Sequence, residues 1–174
     1  MNPKLRALFE EYEEVHRHPM NRLTHKVAIP LIVFHIVAML SWIPLGTVAG
    51  FELNVAHLAY LAVVAWYFRL NLKLALVMAV LYALCFPLAE IVSWPVVVAI
   101  AIGAWAIQLA GHAVWEKRSP AFTRNLLQAL VGPLYFVAIL LGRLALRRRV
   151  AAARTRGVGL RPAPPGLPPR PPVA

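Results

Sequence analysis

Residues 94–116, WPVVVAIAIGAWAIQLAGHAVWE, run from Trp94 to Trp115 without a charged side chain until Glu116 closes the stretch. The hydrocarbon core of a bilayer is about 30 Å thick and takes about 20 helical residues to cross, so Trp94–Trp115 reads as a spanning helix. Leu72–Val92 before it has the same character, and Ser93–Pro95 supplies the turn between them. Working outward, three more apolar segments appear: Val27–Ile43, Leu53–Phe68 and Leu126–Leu146. The first two are short for a crossing. Arg69 and Lys73 mark an interfacial turn between the second and third segments. Gly132–Pro133 lies at the centre of the last segment, where an interior proline costs about 3 kcal/mol and kinks or breaks a helix. That segment is therefore expected to enter and return, or to lie in the interface. Residues 3–17 repeat apolar positions at Leu5, Leu8, Phe9, Tyr12 and Val15, the spacing of an amphipathic helix, which Pro19 is expected to end. The expected fold is an all-α polytopic membrane helical bundle. It has about four spanning helices, a Gly-Pro-broken fifth apolar segment and an N-terminal amphipathic helix.

The composition agrees. Of 174 residues 60% are apolar and 14% charged, against roughly 45–50% and 25% in soluble domains. Cys85 is the lone cysteine, which excludes a disulfide-stapled module. The net charge of +11 does not line one polar face, as a nucleic-acid binder would require. Instead Lys and Arg flank the apolar segments and act as topology markers. They precede the first segment (Lys4, Arg6, Arg17, Arg22, Lys26), lie between the second and third, and lie between the fourth and fifth (Lys117, Arg118, Arg124). Those three regions are expected on the cytoplasmic side. Three parts follow: 1–26, an N-terminal segment bearing histidines; 27–149, the transmembrane domain; and 150–174, a disordered tail rich in proline and arginine.

The chemistry gathers at the cytoplasmic end. His16 and His25 precede the first segment, and Gln108, Gly111, His112 and Glu116 close the fourth. His112 and Glu116 are four apart and share a helix face. Three or four metal ligands thus meet at one depth. Imidazoles with or without one carboxylate, and open positions left over, suit non-haem Fe(II), with zinc as the main competitor. Six histidines cannot fill the ligand set of a di-iron desaturase, and no His-Glu-x-x-His or Cys/His zinc module occurs. His35 and His57 fall inside apolar segments and are expected to be structural, hydrogen-bonded to neighbouring helices. His18 is two residues from His16, but Pro19 after it disfavours an aligned helical pair. The alternative to an enzyme is a membrane lipid-binding or scaffold protein whose histidines are structural or hold zinc.

Two separated patterns carry a resemblance. Tyr12-x3-His16-x4-Asn21-x3-His25-x4-Pro30 is followed by Gln108-x2-Gly111-His112-x3-Glu116-Lys117-Arg118-x-Pro120-Ala121 and then by Asn125-x2-Gln128. Over about residues 9–146 the chain resembles the small membrane family of 2-hydroxy-fatty-acid dioxygenases, whose fungal member acts in the endoplasmic reticulum on the degradation of phytosphingosine. The resemblance implies Fe(II)-dependent α-oxidation, in which a 2-hydroxy fatty acid and O2 give the fatty acid one carbon shorter and CO2. It implies His16, His25 and His112 as iron ligands, and Glu116 as a further ligand or a group orienting His112. Tyr12, Asn21 and Gln108 would support the ligands or bind substrate. A 2-hydroxy acid offers a carboxylate beside a hydroxyl, a chelate for a metal with open positions, while its acyl chain lies among apolar helices. The home membrane is expected to be a bacterial inner membrane or the endoplasmic reticulum.

Overall fold

The computed structural model describes the backbone of residues 2–155 and the side chains of residues 2–142. The chain divides into two compact units, Met1–Ile139 and Leu140–Ala174. In the second unit, the described backbone from Leu140 to Thr155 is helical. The remainder of the expected disordered tail lies outside the described residues.

Helix α1 spans Pro3–Glu14, started by Asn2, whose side chain accepts the Lys4 N–H. It ends three residues short of the expectation. Pro19 does not end it but opens α2, Pro19–Ser41, where proline's fixed φ and missing N–H suit the first helical position. His18 is extended, as expected before proline, and caps α2 through its side chain. The helix that begins at Pro19 thereby absorbs the polar residues ahead of Val27, so the first crossing segment is longer than its apolar core suggested.

A β-hairpin follows, which the all-α expectation lacked. Strands β1, Pro44–Val48, and β2, Phe51–Asn54, pair antiparallel around Ala49–Gly50. Both turn residues have positive φ, the conformation that tight two-residue hairpins require. Helix α3, Val55–Leu70, then leads through the single residue Asn71 into α4, Leu72–Ala83. Asn71 donates its N–H to the Tyr67 carbonyl and accepts the Leu74 N–H on its side chain. One asparagine thus closes one helix and starts the next, within the turn expected at Arg69–Lys73. Helix α5, Cys85–Ile91, continues α4 after an interruption at Leu84. Pro87 explains it, since proline cannot donate to the carbonyl four residues earlier, that of Ala83, and its ring crowds that group.

Helix α6, Trp94–Ala110, passes into a π-helical turn, Gly111–Glu116, ended by Lys117 in the left-handed conformation. A short 3-10 turn, Ala121–Thr123, precedes α7, Leu127–Thr155. The expected break at Gly132–Pro133 is absent, because α7 remains helical on both sides of Pro133. The segment does not turn back there.

Among the described residues, three helical stretches are long and apolar enough to cross a membrane: Pro19–Ser41, Leu72–Ile91 and Trp94–Glu116. Val55–Leu70 and Leu127–Gly142 are shorter apolar helices. This revises the expected count of about four. Large apolar side chains such as Ile91, Trp94, Val80 and Ile102 stand on the outside, the surface that a helix crossing a bilayer presents to lipid. The core at the other extreme is aromatic and aliphatic. Leu5, Leu8 and Tyr12 of α1 pack on Tyr67, Leu74 and Met78 of α3 and α4 and on Val131, Leu134 and Tyr135 of α7. Burying each such side chain contributes about 1.5–3 kcal/mol, which docks α1 onto the bundle. The Asn2 side chain also reaches the Arg69 carbonyl, and Asn125 reaches Glu11. These contacts gather the three cation-bearing regions at one end.

Candidate metal centre

His16 follows the last turn of α1, His25 lies two turns into α2, and His112 is the second residue of the π turn. All three are buried. The His16 and His25 Nε2 atoms are 3.0 Å apart, as are those of His25 and His112. One donor atom from each ring lies within 4.8 Å of the others.

The tautomers follow from local structure. His16 Nδ1 is 2.6 Å from the Tyr12 carbonyl, and His25 Nδ1 is 2.7 Å from the Asn21 carbonyl. A carbonyl only accepts, so both Nδ1 atoms carry the proton and both Nε2 atoms present lone pairs. Lone pairs facing each other at 3.0 Å repel unless a cation lies between them. Nitrogens bound to one ion at about 2.0–2.1 Å stand about 2.8–3.4 Å apart for coordination angles between octahedral and tetrahedral. The His16–His25 and His25–His112 spacings therefore fit two nitrogens on one divalent transition metal. Burial, with His112 and Arg22 nearby, lowers the His16 pKa to about 4. Its imidazole is neutral at physiological pH, the form that ligates. The His112 Nδ1 is buried without a partner among the described residues.

Tyr12 stacks on His16 with ring centroids 3.8 Å apart, as side chains one helical turn apart can do. Burial raises the Tyr12 phenol pKa well above its ordinary value, so the hydroxyl keeps its proton. Its Oη has no partner among the described residues.

Glu116 is not one of the three grouped donors. Oε1 accepts the Arg17 N–H at 2.9 Å, and Oε2 accepts the His18 N–H at 2.9 Å and the Asn21 side-chain amide at 3.1 Å. The carboxylate thus straps the link between α1 and α2, which carries His16, to the end of the helix that carries His112. His112 and Glu116 both lie in the π turn, where i→i+5 hydrogen bonds replace the α-helical spacing of the expectation. Gly111 allows this close approach. A Cβ there would fall 2.6 Å from Asn21 Oδ1 and against the Thr24 hydroxyl.

His35 and His57 are hydrogen-bonded away from this cluster. His35 donates Nδ1–H to the Leu31 carbonyl and accepts the Trp105 indole N–H. His57 forms a reciprocal cap with Asn54 at the start of α3 and stacks on Phe86. Arg22 donates to Tyr135 Oη.

Beside the imidazoles opens a cavity of about 330 Å³, lined by Tyr12, His16, Gln108, His112 and Gln128 at the metal end. Gln128 carried no assigned role in the sequence reading. It is buried, its amide N–H reaches the Leu8 carbonyl, and its Oε1 has no partner among the described residues. The signal that pointed to it was a polar side chain at the start of an otherwise apolar segment. Gln108 Oε1 has none among them either. The rest of the wall is apolar, and its polar-tipped aromatics are satisfied elsewhere. Tyr60 Oη donates to the Ala79 carbonyl, Tyr82 Oη pairs with Tyr67 Oη, and the Trp105 indole pairs with His35. The cavity is thus sorted by polarity, with free polar atoms only beside the imidazoles.

Comparison with known proteins agrees with this arrangement. A family model described as 2-hydroxy-palmitic acid dioxygenase Mpo1-like matches residues 3–144. The 2-hydroxy-palmitic acid dioxygenase MPO1 of Saccharomyces cerevisiae is 31% identical over 140 residues, covering 76% of this chain and 76% of the relative. No solved structure matches.

Proposed function

The chain belongs to the Mpo1-like 2-hydroxy-palmitic acid dioxygenase family, and on that basis we propose that it is an Fe(II)-dependent dioxygenase of 2-hydroxy fatty acids. Its reaction converts a 2-hydroxy fatty acid and O2 into the fatty acid one carbon shorter, CO2 and water. The observation that carries this reading is the polarity-sorted cavity ending at three facing imidazoles. It suits an amphiphile whose polar head meets a metal and whose tail is hydrocarbon.

His16, His25 and His112 would hold the ion, leaving coordination positions open. Fe(II) there supplies the redox chemistry that O2 requires. The chain's own groups bind and orient. The Tyr12 hydroxyl, kept protonated by burial, donates a hydrogen bond to the acid head. The Gln108 and Gln128 carboxamides accept from the 2-hydroxyl. The apolar wall excludes water and holds the acyl chain. Asn21 and Glu116 act through the ligands, Asn21 by its carbonyl on His25 and Glu116 by its strap to the His16 link. The cation-bearing end, with the metal centre, faces the cytoplasm by the positive-inside bias.

The test is metal content of purified protein together with CO2 release from 2-hydroxypalmitate under Fe(II) and O2. Iron near one per chain and release of CO2 are expected. His112→Ala should keep expression, lose the metal and lower turnover at least 100-fold. A folded protein that holds no iron and releases no CO2 would overturn the proposal and leave a lipid-binding role.

A further inference from the structure

Helix α2 places His25, Ile29, Ile32, Val33, Ile36 and Leu40 on one face, each three or four residues from another of the set, so they form one continuous stripe. Beyond His25, each of these residues lines the cavity. The stripe starts at a candidate metal ligand and ends next to the last residue of the helix. At 1.5 Å per residue, the eleven steps from Ile29 to Leu40 measure about 16 Å, the extended length of about thirteen methylenes. Ile29 itself stands beside the head-binding end, since a Cβ on Gly132 would meet both its Cδ1 and Tyr12 Oη.

The other end lies where α2 meets α3. The Val55 N–H donates to the Ile43 carbonyl at 3.0 Å, which holds the start of α3 level with the end of α2. Ala56 and Ala59, one turn apart at that start, line the cavity with Leu40. Ala56 is fully buried. Small side chains at the far end of an apolar cavity are what leave room for a chain terminus, and larger ones there would shorten the space.

Resting on the proposed substrate class, we propose that Leu40, Ala56 and Ala59 form a ruler that sets the acyl-chain length this site accepts. Chains of up to about thirteen methylenes beyond the head fit along α2; longer ones do not extend further into the cavity. Each methylene that reaches the apolar wall adds affinity until the far end is met.

The experiment uses full-length, iron-loaded protein in lipid nanodiscs. Saturated 2-hydroxy acids of eight, twelve, sixteen and twenty carbons compete against a fluorescent fatty acid, and turnover of each is measured in parallel. Affinity should rise with length to about sixteen carbons and gain nothing at twenty. Ala59→Leu should move the optimum to a shorter chain, lowering the ratio of affinities for sixteen over twelve carbons at least tenfold. Leu40→Ala should move it the other way. Leu61→Phe, on an exposed part of α3 outside the cavity, should leave the length profile where it is. Cobalt uptake by each variant reports that the imidazole cluster has folded. An identical profile in all variants, or a uniform loss at every length in Ala59→Leu with no shift in Leu40→Ala, overturns the ruler. If wild type binds unsubstituted fatty acids with this profile but turns over no 2-hydroxy acid, the dioxygenase reading falls and the ruler stands. If it binds no acid of any length, the ruler falls whatever the enzyme does.

Discussion

Each of two imidazoles in the cluster owes its direction to a carbonyl about one turn earlier in the chain, Tyr12 for His16 and Asn21 for His25. Such bonds fix both tautomer and ring plane, so the lone pairs converge before any ion arrives. Gly111 is the residue that lets the third imidazole come close. Gly111→Ala should overpack the contact with Asn21 and Thr24 and cost about 1–3 kcal/mol. The expected readout is a lower midpoint of thermal unfolding in detergent, together with weaker cobalt binding. An unchanged midpoint and unchanged cobalt affinity would show that the close approach is not needed. The residue types of the cluster were legible in the sequence, since six histidines in so apolar a chain draw attention. What separates His16, His25 and His112 from His35 and His57 is the direction of each ring. That depends on which partner the other nitrogen finds, and His35 finds Trp105, seventy residues away.

At the scale of elements, the decisive pieces are ends rather than middles. Glu116 joins the α1–α2 link to the π turn through backbone donors nearly a hundred residues distant in sequence. Glu116→Ala should free that link and lower metal affinity about 10–100-fold, as losses of orienting groups around metal ligands do. Glu116→Gln, which keeps one acceptor oxygen, should fall between wild type and Ala. Isothermal titration with cobalt distinguishes these outcomes, and equal affinities in all three proteins would remove the strap from the account. The helices themselves were readable from hydropathy. At three prolines the expectation and the structure part. Pro19 opens a helix instead of ending one, Pro87 interrupts a helix at Leu84, and Pro133 is carried without a break. Proline limits its own φ and removes one donor, and its consequence depends on whether neighbours already satisfy the freed carbonyl. The hairpin was missed for a different reason. Its strands are short and lie between two apolar segments, so they carry no alternation long enough to register.

For the molecule as a whole, the contacts of Asn2 with Arg69, Glu11 with Asn125 and Glu116 with Arg17 bring the cation-bearing regions to one end, while the hairpin follows the opposite end of α2. In a Cys85→Ser background, cysteines at Asn2 and Arg124 should react with an impermeant maleimide from one side of the membrane and a cysteine at Ala49 from the other. Labelling of all three from the same side would refute this orientation.

The sequence by itself determined that this is a helical protein with segments apolar and long enough to cross a bilayer, which of its ends carries the positive charge, and that histidines gather at that end. Those properties follow from local composition and from the cost of placing charge in hydrocarbon. Only the tertiary structure decided that three of six imidazoles face one another, that Glu116 serves the backbone, and that a cavity with free polar atoms at one end runs along α2. Such features depend on packing between residues far apart in the chain, through contacts that no local pattern encodes.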